Sequence, residues 1–208
     1  MKIISGFILS IVLFSAQAAK FIPAELSFAD GKSLKGLAAF PDKPNDKTIL
    51  FKSKENAEPV SYSSESLKTL IYFFDDGTVE FDRIMIYPSL LNSKKSAGPY
   101  WMEVIERGYT TLYFALREGS TMVRSGISST TSADKFWYCM RPNEEAAKVI
   151  SWVIGKVNAN ETFRREAQKY FKDYPELSGK IKDKTYKYDQ IVETVREYNK
   201  WIANTAKK

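Results

Sequence analysis

Through roughly the first two-thirds of the chain the apolar positions recur every second residue; toward the C-terminus they recur every three to four. Leu26 and Phe28 alternate toward Asp30-Gly31 and residues 34–40 return from it, which predicts a hairpin. Residues 41–46 read as loop and residues 48–54 as a third strand. A brief extended piece at 59–62 precedes Ser63-Ser64-Glu65-Ser66, a stretch able to cap one helical turn. Residues 70–74 and 78–87 flank Asp75-Asp76-Gly77, a second hairpin, and residues 88–99 form a loop.

The most apolar stretch, residues 100–117, folds back on itself at Arg107-Gly108. A two-residue turn there pairs Trp101 with Phe114 and Val104 with Thr111; a three-residue turn with Gly108 in the left-handed region would change that register. One face collects Trp101, Ile105, Leu112, Phe114 and Leu116. The other collects Tyr100, Met102, Val104, Tyr109, Tyr113 and Ala115. Both faces are largely apolar, so each needs a cover. A short strand through Met122 and Val123, a polar tract at 124–135 and an apolar strand at 136–141 complete the β-rich part.

At Pro142 the period changes. Pro142 suits a first helical position, and Ala146, Ala147, Val149, Ile150, Val153, Ile154 and Val157 make an apolar stripe, so a helix is expected here. Asn160 is the expected cap of a second helix carrying Phe163, Ala167, Tyr170 and Phe171. Pro175 begins a short turn ending near Gly179. The last helix carries Tyr188, Ile191, Val192, Val195, Tyr198 and Ile202. Strands first and helices last predict an α+β fold. The expectation is one curved or partly closed antiparallel sheet over residues ~24–141, packed by C-terminal helices over ~142–204. Nothing resembling a linker divides residues 19–208, which read as one domain.

The first 18 residues change the picture of where the chain works. Lys2, an apolar run over residues 3–14 and Ala16-Gln17-Ala18 have the layout of a signal peptide, and no Cys near the cut offers a lipid anchor. The chain is therefore expected to be exported, to the periplasm, the cell surface or the medium. Beyond Lys2, residues 20–163 hold 18 basic and 18 acidic side chains, whereas residues 164–208 hold 12 and 7. That basic tail is a route to peripheral contact with an anionic envelope surface, although interspersed charge is ordinary on solvated helices.

There is no histidine and one cysteine, Cys139. Ser-His-Asp and Cys-His catalysis and His-ligated zinc are thereby excluded. Cys139 lies in the apolar run Phe136-Trp137-Tyr138-Cys139-Met140 and reads as a core residue. The densest acids, Asp75, Asp76, Glu80 and Asp82, fit no calcium-loop spacing, and turn chemistry accounts for the first two. Asp76 and Asp82, on opposite hairpin strands, are the one carboxylate pair with glycosidase character. Tyr170, Phe171, Tyr174, Tyr186, Tyr188, Tyr198 and Trp201 interleave with cations. Single-stranded nucleic-acid binders use that mixture, but helical spacing reads it as core, with Trp201 as the ring most open to a partner or glycan. Asn160-Glu161-Thr162 is formally a glycosylation acceptor. No catalytic, cofactor-binding or metal-ligating residue is assigned.

Several stretches taken together resemble a class of exported proteins of Bacteroidetes-type bacteria. They are Phe28-Ala29-Asp30-Gly31, Tyr62-Ser63 leading to Leu67, and Trp101-Met102-Glu103-Val104 with Leu112-Tyr113. The tail Tyr170-Phe171-Lys172-Asp173-Tyr174-Pro175-Glu176-Leu177, continuing through Tyr188, Ile191-Val192 and Tyr198-Asn199, completes the set. The resemblance implies the same sheet-then-helices architecture and export; it brings no activity and no site residue. The sequence thus reads as an exported, non-enzymatic interaction or structural protein that meets an envelope protein, lipid or glycan and no nucleic acid. The alternative is a glycan or lipid binder, or a carboxylate-dependent hydrolase, with its cavity inside the curved sheet.

Overall fold

The computed structural model describes residues 20–87, 95–118, 121–123, 134–155 and 158–205, with main chain alone for 117, 118 and 121–123. The expected signal peptide, most of the 88–99 loop and most of the Ser/Thr tract lie outside the described residues. Strands β1 (Phe21–Phe28), β2 (Ser33–Ala39), β3 (Thr48–Lys52) and β4 (Val60–Ser63) lead to a 3-10 turn at Ser64–Ser66. Then come β5 (Leu67–Phe74), β6 (Gly77–Ile86), β7 (Ala97–Glu106), β8 (Thr111–Glu118), β9 (Thr121–Val123), β10 (Asp134–Met140) and β11 (Lys148–Val153). Helices α1 (Ala159–Tyr170), α2 (Pro175–Lys182) and α3 (Ile191–Thr205) close the chain. The fold is α+β, with one antiparallel sheet in the order β11-β10-β8-β7-β6-β5-β1-β2-β3-β4 and β9 beside β8.

Turn chemistry made the first hairpins. Gly31 and Gly77 hold φ of 87° and 148°, which their neighbours could not adopt cheaply, and β1–β2 and β5–β6 fold back there. Ser63 caps the 3-10 turn, its Oγ accepting from Glu65 N–H at 3.3 Å.

The two faces of β6 and β7 serve different cores. Phe81 and Trp101 join Leu26, Phe51, Leu70 and Tyr72 in a core on one face. Ile86 and Met102 join Tyr113, Phe136, Tyr138 and Trp152 on the other. Main-chain bonds bend the sheet about each. Trp101 N–H donates to the Pro44 carbonyl at 2.7 Å, holding the β2–β3 loop against β7. At the far end Ala147 bridges Ile86 in parallel, through Tyr87 N–H to Ala147 C=O and Ala147 N–H to Met85 C=O, both 2.9 Å. The sheet is curved and not closed. The helices cover Leu112, Cys139 and Ile150 with Phe163, Phe171, Leu177, Ile181, Val195 and Tyr198, a third core.

Five local readings need correction. The short turn expected from Pro175 is helix α2, and residues 97–99, expected in a loop, open strand β7. The expected helix through Ala146 to Val157 is strand β11, so the sheet runs beyond residue 141 and helices begin at Ala159. Its run Val149-Ile150-Ser151-Trp152-Val153 is rich in β-branched residues and pairs with β10 across a bulge at Trp137/Tyr138. The cap of α1 is Asn158, whose Oδ1 accepts from Asn160 N–H at 3.0 Å, not Asn160. In the central hairpin Glu103 faces Phe114 and Val104 faces Tyr113, two residues from the two-residue-turn register. Up to Val104 the slip is even and leaves each side chain on its face, and a bulge before Glu106 takes up one residue more. Ile105 and Leu112 lie on one face, Tyr100, Met102, Val104, Tyr113 and Ala115 on the other, as predicted.

Candidate functional site

The acids singled out in the sequence part company. Asp75 and Asp76 are exposed in the β5–β6 turn. Asp82, buried on β6, stands opposite Thr69 rather than Asp76. Its carboxylate accepts from Thr69 Oγ1 at 2.8 Å, from Tyr113 Oη at 3.0 Å and from both terminal nitrogens of Arg107 at 3.0 Å. Glu80 takes the remaining side of the same guanidinium. Burial opposes the Arg107 charge, but hydrogen bonds to Asp82 and Glu80 outweigh it and raise its pKa. Burial, then the Asp82 charge, raises the Tyr113 pKa. Every acceptor is thus occupied by a fixed donor: the group ties β5, β6, β8 and the β7–β8 turn together. Sequence reading missed Arg107 because its partners lie 25 and 27 residues away, on a neighbouring strand.

Cys139 is fully buried, and burial first, then the Glu144 charge, pushes its thiol well above the usual range. Beside it the Arg141 guanidinium lies 4.6 Å from the Tyr170 ring centre and 4.8 Å from that of Tyr198. It also donates to the Tyr170 carbonyl and Asp173 Oδ1, each at 2.9 Å. Glu144 accepts from Arg141 N–H (2.9 Å), Tyr170 Oη (2.7 Å) and Lys148 Nζ (2.7 Å). This cluster clamps the helices onto β10 and β11.

All seven tail aromatics lie in or against the helix-side core. Trp201 stacks on Tyr174 with centroids 4.5 Å apart and planes 5° apart. Tyr188 meets Trp137 edge-on at 4.9 Å. Much of the tail charge is paired: Arg165 and Lys169 with Glu166, Lys180 with Glu176 and Glu197, Arg196 with Glu106. Two groups of the formal acceptor tripeptide are engaged by the fold. Thr162 is buried and donates to the Trp152 carbonyl at 2.9 Å, while Asn160 Oδ1 accepts from Tyr188 N–H at 2.9 Å.

Open space lies at the other end of the sheet. A cleft of about 390 Å³ sits where β2 and β3 part, floored by the buried Ile22, Phe40 and Ile49 and rimmed by Lys20, Lys47, Asp42 and Asp46. Beside it Phe21, Leu37, Lys52 and Glu55 line a broader, shallower hollow, with Lys52 Nζ 4.7 Å above the Phe21 ring centre. Near these openings Leu50 is 37% exposed and Val60, at the start of terminal strand β4, 53%. Among the described residues no group of three or more His, Cys, Asp or Glu is placed to hold a metal ion. None of the described helices is long and apolar enough to cross a membrane.

Comparison with protein families, with curated proteins and with solved structures finds no match to this chain.

Proposed function

We propose that this chain is an exported, non-enzymatic interaction protein of the periplasm or cell surface. The observation that carries the reading is how the curved sheet is filled. Both faces of β6–β7 close on their own side chains, Leu70, Tyr72 and Phe81 on one and Met102, Phe136 and Tyr138 on the other, each at most 3% exposed. A glycan or lipid binder or a carboxylate-dependent hydrolase would need a ligand cavity inside the curve, where these side chains pack on one another. Asp82, the most buried carboxylate of the expected pair, is held by Thr69, Tyr113 and Arg107. What faces outward is a sheet end with exposed apolar residues and open clefts, the kind of surface that meets a partner.

The test is affinity capture from envelope extract on the immobilised protein, with mass spectrometry of retained proteins, lipids and glycans. A protein retained in stoichiometric amount is the expected result. A glycan or lipid retained stoichiometrically with no protein would overturn the reading.

A further inference from the structure

We infer that the cleft between β2 and β3 is a docking slot for an extended peptide segment of a partner, read through its main chain. This rests on the interaction-protein reading and gives that interaction a place and a chemistry. The β2–β3 ladder has only two pairs, Leu37 with Lys52 and Ala38 with Phe51. Ser64 N–H donates to the Lys47 carbonyl at 2.8 Å. Bonded pairs of an antiparallel ladder recur every second residue, so Ile49 and Phe51 turn their main-chain groups to β4. Thr48 and Leu50 then turn theirs to β2; the Leu50 carbonyl is met by Ala39 N–H, which the wide Ala38–Phe51 pair requires, and there the ladder stops.

The cause of the stop is visible. The Ala39 carbonyl, next in line for Leu50 N–H, accepts instead from the Tyr72 hydroxyl at 2.8 Å. One step on, the register would set Thr48 against Pro41, which has no N–H to offer. Among the described residues, therefore, Leu50 N–H and both main-chain groups of Thr48 meet no protein partner and border the cleft. Unpaired strand groups in a concave, partly apolar slot are complemented by another extended main chain, as in strand addition. Thr48 to Leu50 spans about three residues of such a chain at a rise of roughly 3.3 Å each. The apolar floor takes one inward side chain. The rim, two lysines and two aspartates, suits a segment whose flanking residues carry both charges.

The test uses the full chain, expressed with its own N-terminal segment and purified as the cell processes it. In the free protein Leu50 and Thr48 amides should exchange with solvent at least about ten-fold faster than those of Ile49 and Phe51. Equal protection would overturn the proposal. The peptide acetyl-Lys-Thr-Val-Thr-Asp-amide, titrated to about 5 mM, should shift the Leu50 and Thr48 amide resonances, a weak but measurable affinity. The same peptide N-methylated at both threonines should not. No shift with the first peptide, or equal shifts with both, refutes main-chain recognition.

A slot-filling variant, Ala39→Phe, separates this inference from the reading beneath it. If wild-type protein captures an envelope protein and a folded Ala39→Phe variant captures it equally, the slot is wrong and the interaction reading stands. If wild type captures none, the interaction reading fails, and the peptide titration decides the slot alone.

Discussion

Asn199 and Thr110 share two hydrogen bonds across 89 residues of chain: Asn199 Oδ1 accepts from Thr110 N–H at 2.7 Å, and Asn199 Nδ2 donates to the Thr110 carbonyl at 2.9 Å. A side-chain amide on α3 thereby does for the β7–β8 turn what a neighbouring strand would do. Gly108 makes room for it, since a Cβ there would lie within 2.2 Å of Asn199 Nδ2. The bond pair fixes where α3 lands on the sheet.

Replacing Asn199 with Ala leaves both main-chain groups of Thr110 without partners in a part-buried site. The expected cost is about 2–3 kcal/mol, since each stranded polar group costs roughly 1–3 kcal/mol. Urea denaturation should show a lower midpoint with an unchanged slope. Gly108→Ala should produce a similar loss, because Asn199 must move to accommodate it. A change below roughly 0.5 kcal/mol in both variants would refute the anchoring role.

Asp82 and Arg107 are coupled unequally. Asp82 has a 9% exposed side chain and Arg107 a 47% exposed one. Asp82→Ala strands the Tyr113 and Thr69 hydroxyls and part of the guanidinium, and should cost about 2–4 kcal/mol. Arg107→Met, whose stem keeps some packing, should cost about 1–2 kcal/mol once solvent screening is allowed for. A double-mutant cycle should give a coupling of at least about 1 kcal/mol; additive effects would deny the pair its role.

Stability should fall at both ends of the pH scale. Burial pushes the Glu144 carboxyl up, but bonds from Lys148, Tyr170 and Arg141 N–H outweigh it and hold its pKa below the ordinary value. A depressed folded pKa gives stability that is present above the unfolded value and lost as pH falls through the folded one. That loss therefore begins below about pH 4.5, and Glu144→Gln should flatten it. Burial pushes Tyr188 up to about 12. A raised pKa gives stability present below the unfolded value, about 10, and lost as pH rises through the folded one. Denaturation midpoints from pH 3 to 6 and from pH 9 to 12, the span of these pKa values, check both limbs. A Tyr188→Phe variant with an unaltered alkaline limb would contradict the second.

Ending the chain at Gly155 keeps every strand and removes all three helices. Leu112, Cys139 and Ile150, each 0% exposed, would then face water with Trp137 beside them. Such a patch promotes association, so the truncated protein should bind a hydrophobic dye and elute as large species on size exclusion. A monomeric truncated protein with a native sheet spectrum would show that the sheet needs no helical cover.

Local chemistry determined much of this fold before any long-range contact was considered. Gly31 and Gly77 relieve steric limits that act within a few residues, so both hairpins could be read from Asp-Gly. The stripe Ile191, Val195, Tyr198 follows from helical period, and the two faces of the central hairpin follow from strand period. Parity survives an even slip; register does not, and register was decided when Asn199 and the Arg107 ion pairs shaped the turn between β7 and β8.

Strand β11 shows the limit most clearly. A short apolar run such as Val149 to Val153 satisfies helix and strand alike, and the β10 edge together with the Ile86–Ala147 bridge chose strand. The same holds for the cleft. Pro41 announces in the sequence that a ladder cannot continue past it. That Tyr72, 33 residues from Ala39, would take the carbonyl opposite Leu50 is a tertiary fact. Short-range sterics and periodicity are written in neighbouring residues, whereas the partner of each hydrogen-bonding group depends on which distant segments the fold brings together.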